Sequence, residues 1–224
     1  MRTKHRLQLR EERRARDRIM AAYKLTYLNY KARGELVRFI LAYAEVDYED
    51  VRLVPEKWQE LRPTTLYGIL PTLEFDGKIL SGNGTIARYL AEKFELAGKT
   101  PEENAEIYSM VDCIEDLWQH IAAMFREQDE AIKAERRKVF VEKYLPVPLM
   151  KLEKAAASNG TPQGWLYGSK VTYADLSVAV LLEMLAKNHP AILDSLPTLA
   201  KLKISVEQLP AIDKWIKSRP ETPY

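Results

Sequence analysis

The chain has 224 residues, with 34 Lys and Arg against 32 Asp and Glu and 46% apolar residues, enough for one large domain or two modest ones with proper cores. No apolar run is long enough to span a bilayer, and the polar, basic start lacks the apolar segment of a secretory signal. The single cysteine, Cys113, excludes an internal disulfide, a two-cysteine redox centre and a cysteine-rich zinc site, and points to a reducing, cytoplasmic setting.

Eight cations stand against three acids in residues 1–19, a net of +5 that leaves −3 for the remainder. Residues 1–20 therefore read as a basic extension, a frayed helix or disordered segment. It lacks the aromatic interleaving and repeated basic face of a nucleic-acid arm, so neither nucleic acid nor membrane is expected as a partner. Tyr23 to Asn29 reads as a β-rich run, followed by the polar segment Asn29 to Gly34. Leu36, Val37, Ile40, Leu41 and Ala44 then repeat at helical spacing. Tyr48 to Leu53 is a second strand candidate, and Pro55 with Trp58 to Leu66 reads as irregular.

Pro71 has no N–H, so it suits the entry of a strand rather than its middle. Asp76-Gly77 between two short apolar runs is a strong hairpin signal. Asn83 is placed to cap the next helix with its side-chain oxygen, and the positive end of that helix suits a carboxylate. Strand, helix, strand, strand, strand and helix make one α/β unit over residues 21–97.

Beyond a linker, Thr100 caps a helix with Pro101 in its first position. From there the strand signals vanish. Ile107, Val111, Ile114, Trp118, Ile121 and Phe125 give one long amphipathic helix. Further helices are expected over 134–157, 172–188, 197–207 and 211–218, with a loop at 158–164. Residues 101–224 read as all-helical. Thr172 and Asp175 form a capping box with Asp in place of the usual Glu or Gln, a structural role.

An α/β unit with the Leu70-Pro71 entry, followed by a linker and a helical half, resembles the cytosolic glutathione transferases. Tyr23-Lys24-Leu25-Thr26-Tyr27, Arg33-Gly34-Glu35, Glu56-Lys57-Trp58 and Ile86-Ala87-Arg88-Tyr89-Leu90 resemble the sigma class, which includes glutathione-dependent prostaglandin D synthases and lens crystallins. The resemblance runs from about Ala22 to the end. It implies a thioredoxin-like glutathione-binding domain, an all-α domain supplying the pocket for an apolar electrophile, and a homodimer.

By the same resemblance, Tyr27 is the catalytic tyrosine and Arg33 the arginine that polarises it. Glutathione is the co-substrate, and no metal is required. Trp58 and Arg62 match positions at the glycine end of glutathione. Leu70, held by Pro71 in cis form, matches the residue whose main chain pairs with the cysteinyl backbone in the manner of an added edge strand. Gly82-Asn83 stands where the class carries Gln-Ser or Glu-Ser at the γ-glutamyl group. Asp116 matches an acid that reaches the partner's glutathione, with Asp112 and Glu115 beside it; in some relatives such a carboxylate group binds a divalent ion between subunits, the alternative being a solvated acidic face. Leu28, Tyr30 and Trp118 are candidates for the electrophile pocket, Trp118 fitting core packing equally well. The expected activity is conjugation of the glutathione thiolate to small apolar electrophiles. Prostaglandin D isomerisation or lipid peroxide reduction is the narrower alternative, and a non-catalytic crystallin-like or scaffold protein is the rival of another class.

Overall fold

The computed structural model describes residues 23–222; the basic extension lies outside them. Strand β1 (Tyr23–Leu28) buries Tyr23, Leu25 and Tyr27 and turns Lys24, Thr26 and Leu28 to a half-covered face, the period of two that a pleated strand imposes. It pairs in parallel with β2 (Tyr48–Leu53) and antiparallel with β3 (Thr72–Phe75), which pairs with β4 (Lys78–Ser81), giving the order β2-β1-β3-β4. The parallel pair needs a crossover, supplied by α1 (Ala32–Tyr43). Asp76 and Gly77 both have positive φ, 47° and 70°, the two-residue hairpin turn that matches strand twist.

Helix α1 begins earlier than the apolar spacing suggests, and so takes in Arg33 and Gly34. The segment expected to be irregular is partly ordered. Pro55, with its preset φ, opens helix α2 (Pro55–Leu61). Two single 3-10 turns follow, Arg62–Thr64 and Leu66–Gly68. The Leu70–Pro71 peptide is cis. Because β3 lies between β1 and β4, it is not an edge strand; Leu70 lies two residues ahead of its first ladder pair, Thr72 with Ser81. Helix α3 (Asn83–Lys93) follows β4 and packs on α1.

The helical half starts with α4 (Pro101–Arg126), capped by Thr100 accepting from the Glu103 N–H at 3.2 Å. Phe125, placed on its apolar stripe by spacing, is exposed near the helix end. The helix expected over 134–157 is broken into α5 (Glu130–Val139), a π-helical turn at Phe140–Tyr144, and α6 (Pro146–Asn159). Pro146 has no N–H to continue the ladder. Helix α7 (Tyr173–Asn188) is the centre of the half. It is buried from Tyr173 to Leu182 and opened by the Thr172–Asp175 capping box. Helices α8 (Pro197–Glu207) and α9 (Pro210–Ser218) close the bundle. The Asp175 carboxylate accepts from the Leu166 and Thr172 N–H groups at 2.8 and 2.6 Å, and burial pushes its pKa up to about 6. Helix α7 packs on α1 as well as on α4 and α8, so one apolar cluster runs through both halves. Among the described residues no helix is long and apolar enough to cross a membrane.

Candidate active site

Tyr27 sits near the end of β1 with only 8% of its surface exposed. The first turn of α1 lies directly on its ring. A Cβ on Gly34 would fall 2.4 Å from Tyr27 Cδ1, so only glycine permits this approach. The Arg33 backbone N–H donates to the phenolic oxygen, and the Arg38 guanidinium lies 5.9 Å from the ring centroid. Burial raises the phenol's pKa above its ordinary value of 10.0, and the charges of Arg33 and Arg38 oppose the rise. The hydroxyl is therefore neutral at physiological pH. With its oxygen already accepting, it has its proton to offer.

The Arg33 side chain meets Glu115 on α4, Nε to Oε2 at 3.4 Å. Glu115 also accepts from Asn83 Nδ2 at 2.6 Å. One carboxylate thus joins the helix starts that carry Arg33 and Asn83. Burial raises its pKa, while the charge of Arg33 and the Asn83 hydrogen bond hold it down. Arg33 Nε and Nη2 and Asn83 Oδ1 are buried without a hydrogen-bond partner. With Arg33 held among the described residues only by its 3.4 Å ion pair to Glu115 and the Asn83 oxygen unpartnered, the pair suits a zwitterionic group, since a carboxylate would complete the guanidinium and an ammonium the amide oxygen.

This arrangement corrects the expected role of Asn83. The cap residue is Gly82, with φ 91°, and no side chain caps the helix. Asn83 is instead the first helical residue, and its amide is drawn to Glu115. Glu115 is likewise not part of a solvated face: its side chain is turned inward, while Asp112 pairs with Arg88 at 3.5 Å and Asp116 is exposed. Among the described residues no three His, Cys, Asp or Glu side chains converge as a metal centre would require. Spacing alone placed Glu115 one position from Asp116, which on a helix separates them by about 100°. The apolar stripe through Ile114 and Trp118 was the signal that Glu115 borders the core side.

Trp58 is half-buried on α2. Arg62 is exposed, and its Nε donates to the Gly68 carbonyl at 3.2 Å, which ties the turn ahead of Leu70 back to α2. Leu70 is half-buried and Pro71 buried, the Pro71 carbonyl accepting from the Gly82 N–H at 2.8 Å. That bond sets the γ-glutamyl candidates beside the cis-proline loop. Of the electrophile-pocket candidates, Leu28 and Tyr30 are half-buried around Tyr27, with the Tyr30 carbonyl accepting from Arg38 Nη1 at 2.8 Å. Trp118 is 4% exposed and belongs to the core cluster, the packing role its place on the apolar stripe allows.

A thioredoxin-like sheet with a cis-proline loop, joined to a helical bundle, defines a two-domain glutathione-binding architecture. The chain matches the family models described as "Glutathione S-transferase, N-terminal domain" over residues 33–101 and "Glutathione S-transferase, C-terminal domain" over residues 115–219. Glutathione S-transferase 1 of Ascaris suum is 39% identical over 213 residues, covering 92% of this chain and 100% of that protein. Among solved structures, prostaglandin synthase D of Nilaparvata lugens superposes with a TM-score of 0.82 at 35% identity, covering 90% of this chain and 100% of that one. A glutathione S-transferase from the hookworm Necator americanus, described as monomeric, superposes with a TM-score of 0.77 at 34% identity, covering 91% and 100%. The chain belongs to the glutathione S-transferase family. It is an enzyme with glutathione as co-substrate, and its activity is conjugation of the glutathione thiol to an electrophile.

Proposed function

We propose that Tyr27 is the group that ionises the thiol. A free thiol has a pKa near 8.5, so most of it is protonated at neutral pH, and the thiolate is the nucleophile. Lowering that pKa by about 1.5 units needs roughly 2 kcal/mol of preferential thiolate stabilisation. A buried neutral hydroxyl aimed at the sulfur, with two arginines behind it, supplies an amount of that order. The observation that carries the reading is the seating of the Arg33-Gly34 turn of α1 directly on the buried Tyr27 ring, with the Arg33 N–H toward its oxygen. That leaves the phenol's own proton to face the sulfur.

In this reading residues 21–97 bind glutathione and residues 101–224 supply most of the acceptor pocket. Arg33, Asn83 and Glu115 hold the γ-glutamyl end, Arg33 facing its carboxylate and the Asn83 oxygen its ammonium. The Leu70 main chain pairs with the cysteinyl backbone ahead of the β3 ladder, and Trp58 and Arg62 face the glycine carboxylate. The thiol proton leaves to solvent, and the sulfur attacks the acceptor carbon beside Leu28 and Tyr30, whose bond to its leaving group (a halide in an aryl halide acceptor) breaks, the group departing to solvent with the electron pair. Asp116, exposed on α4, serves the glutathione of a second copy in a homodimer. The exposed apolar turn of Leu66, Tyr67 and Ile69 offers a face for that copy to cover. The setting is a cytoplasmic, reducing one, in keeping with the single Cys113.

Retention on immobilised glutathione and turnover of an aromatic electrophile test the reading together. Binding with turnover that collapses in Tyr27→Phe supports it; undiminished turnover in that variant removes Tyr27 from the mechanism. Elution at twice the chain mass supports the dimer, and elution at the chain mass rejects it. The likeness to prostaglandin synthase D favours one second reading, isomerisation of prostaglandin H to D by the same thiolate, tested by supplying that substrate.

A further inference from the structure

Behind the Tyr27 ring lies an ionic circuit that reaches from the thiol-activating loop to the end of the described chain. Arg38 and Glu35, both on α1 and both 0% exposed, form its inner pair, Nη1 to Oε2 at 3.2 Å. Arg38 also donates to Asp50 at 3.1 Å, to the Tyr30 carbonyl at 2.8 Å, and lies beside the Tyr27 ring. The other oxygen of Glu35 accepts from Trp215 Nε1 and from Arg219 Nη1, each at 2.8 Å. The second arm of Arg219, Nη2, donates to Glu183 Oε1 at 2.6 Å. That same oxygen accepts from Lys31 Nζ at 2.7 Å. Lys31 and Tyr30 belong to the loop between β1 and α1, so the path closes on itself: Lys31, Glu183, Arg219, Glu35, Arg38, Tyr30.

What this circuit encloses is residues 30–38, the segment that carries Arg33. Within it Ala32 has φ 36°, a backbone state that a residue with a Cβ holds only when its surroundings over-determine it. Arg219 is 92% buried at its side chain and is the one member on the C-terminal segment that bridges two acids. Its planar fork can meet both acids at once, which an ammonium on a flexible stem does less well. Removing it leaves Glu35 buried with one cation fewer, and cuts the bridge between Glu35 and the Lys31–Glu183 pair.

We infer that Arg219 is a positioning residue for thiol activation: through Glu35 and Glu183 it fixes the 30–38 segment, and with it Arg33 and Arg38, against Tyr27. The inference rests on the role proposed above for Tyr27. Since Arg219 contacts Glu35 and Glu183 and none of the residues proposed to hold glutathione, its loss should act on the chemical step rather than on glutathione binding.

The test compares Arg219→Ala, Arg219→Lys and Glu183→Gln with the wild-type chain, alongside Tyr27→Phe as reference. Readouts are kcat, KM for glutathione, and ultraviolet titration of the bound thiolate, all well below each variant's melting temperature. Arg219→Ala should lose roughly tenfold in kcat, less than the hundredfold that a full ångström of misplacement costs. The bound thiol should titrate about one unit higher, the equivalent of that tenfold, with KM for glutathione shifted less than about threefold. Arg219→Lys should recover part of the loss, and Glu183→Gln, which keeps the shape but cuts the ionic path, should share it. If Arg219→Ala fails to fold, Glu183→Gln alone decides by the same readouts. A lowered melting temperature with unchanged kcat and thiol pKa makes Arg219 a stabilising contact only and overturns the inference. If Tyr27→Phe also leaves the thiol pKa unchanged, the Tyr27 reading fails and takes this inference with it. If Tyr27→Phe raises it and neither circuit variant does, the circuit inference alone is wrong.

Discussion

Gly34→Ala is the smallest perturbation that reaches the Tyr27 hydroxyl without touching it. The added methyl would sit 2.4 Å from Cδ1 and 2.8 Å from Cγ of the ring, where ordinary contact begins at 3.4 Å. Ring and helix start must therefore separate by about 1 Å. Since the ring is anchored on an inner strand and the helix start carries Arg33, either movement breaks the alignment of hydroxyl, Arg33 N–H and sulfur. Misplacement of that size costs on the order of a hundredfold in rate, or about 2.7 kcal/mol of transition-state stabilisation. Stability moves much less. Overpacking costs about 1–3 kcal/mol, and the better helix propensity of Ala returns roughly 0.8–1.0, so the melting temperature should fall by no more than several degrees. Steady-state turnover of an aromatic electrophile at saturating glutathione, with a thermal melt on the same preparation, measures both. A folded variant with kcat within about threefold of wild type would refute the claim that this contact sets the hydroxyl.

Asn83→Ala removes the donor that holds Glu115 and the oxygen proposed for the glutathione ammonium, and should raise the dissociation constant for glutathione about tenfold to a hundredfold, from about 1.5–3 kcal/mol for a hydrogen bond to a charged group; isothermal titration reads it, and unchanged affinity would exclude Asn83 from the site. The pH dependence of folding should carry the signature of Asp175. Its carboxyl titrates at about 6 in the folded chain, above an unfolded value of about 3.9, so its contribution is full below pH 4 and is lost as pH rises through 6. The urea midpoint of the wild type should therefore gain on that of Asp175→Ala as pH falls from 7 to 5, and a constant difference would contradict the burial argument.

Much of the sheet was legible because each strand carries a local signal: alternation in Tyr23–Leu28, Pro71 at an entry, Asp76-Gly77 at a turn. The helical half was legible in its elements but not in its breaks. Residues 134–157 keep a helical pattern across both the π-helical turn at Phe140–Tyr144 and Pro146, which together separate α5 from α6. The site was legible where a residue type is chemically distinctive, as with Tyr27 and Arg33. It was not legible where two distant acids decide the outcome. Asn83 is a good cap by local rules, yet the cap position falls on Gly82, and the Asn83 Nδ2 donates to Glu115, 32 residues away. Glu35, next to Gly34 in the motif, gave no sign that its partners would be Trp215 and Arg219, because such long-range pairing is set by how α7 and α9 pack on α1.

The central claim is that the Tyr27 hydroxyl keeps the glutathione sulfur ionised, and ultraviolet titration of glutathione bound to the wild-type chain and to Tyr27→Phe tests it most directly. The wild type should show the thiol titrating about 1.5 units below its free value near 8.5, and the variant should return it close to that value while still binding the tripeptide. The same depressed thiol pKa in both proteins would contradict the account.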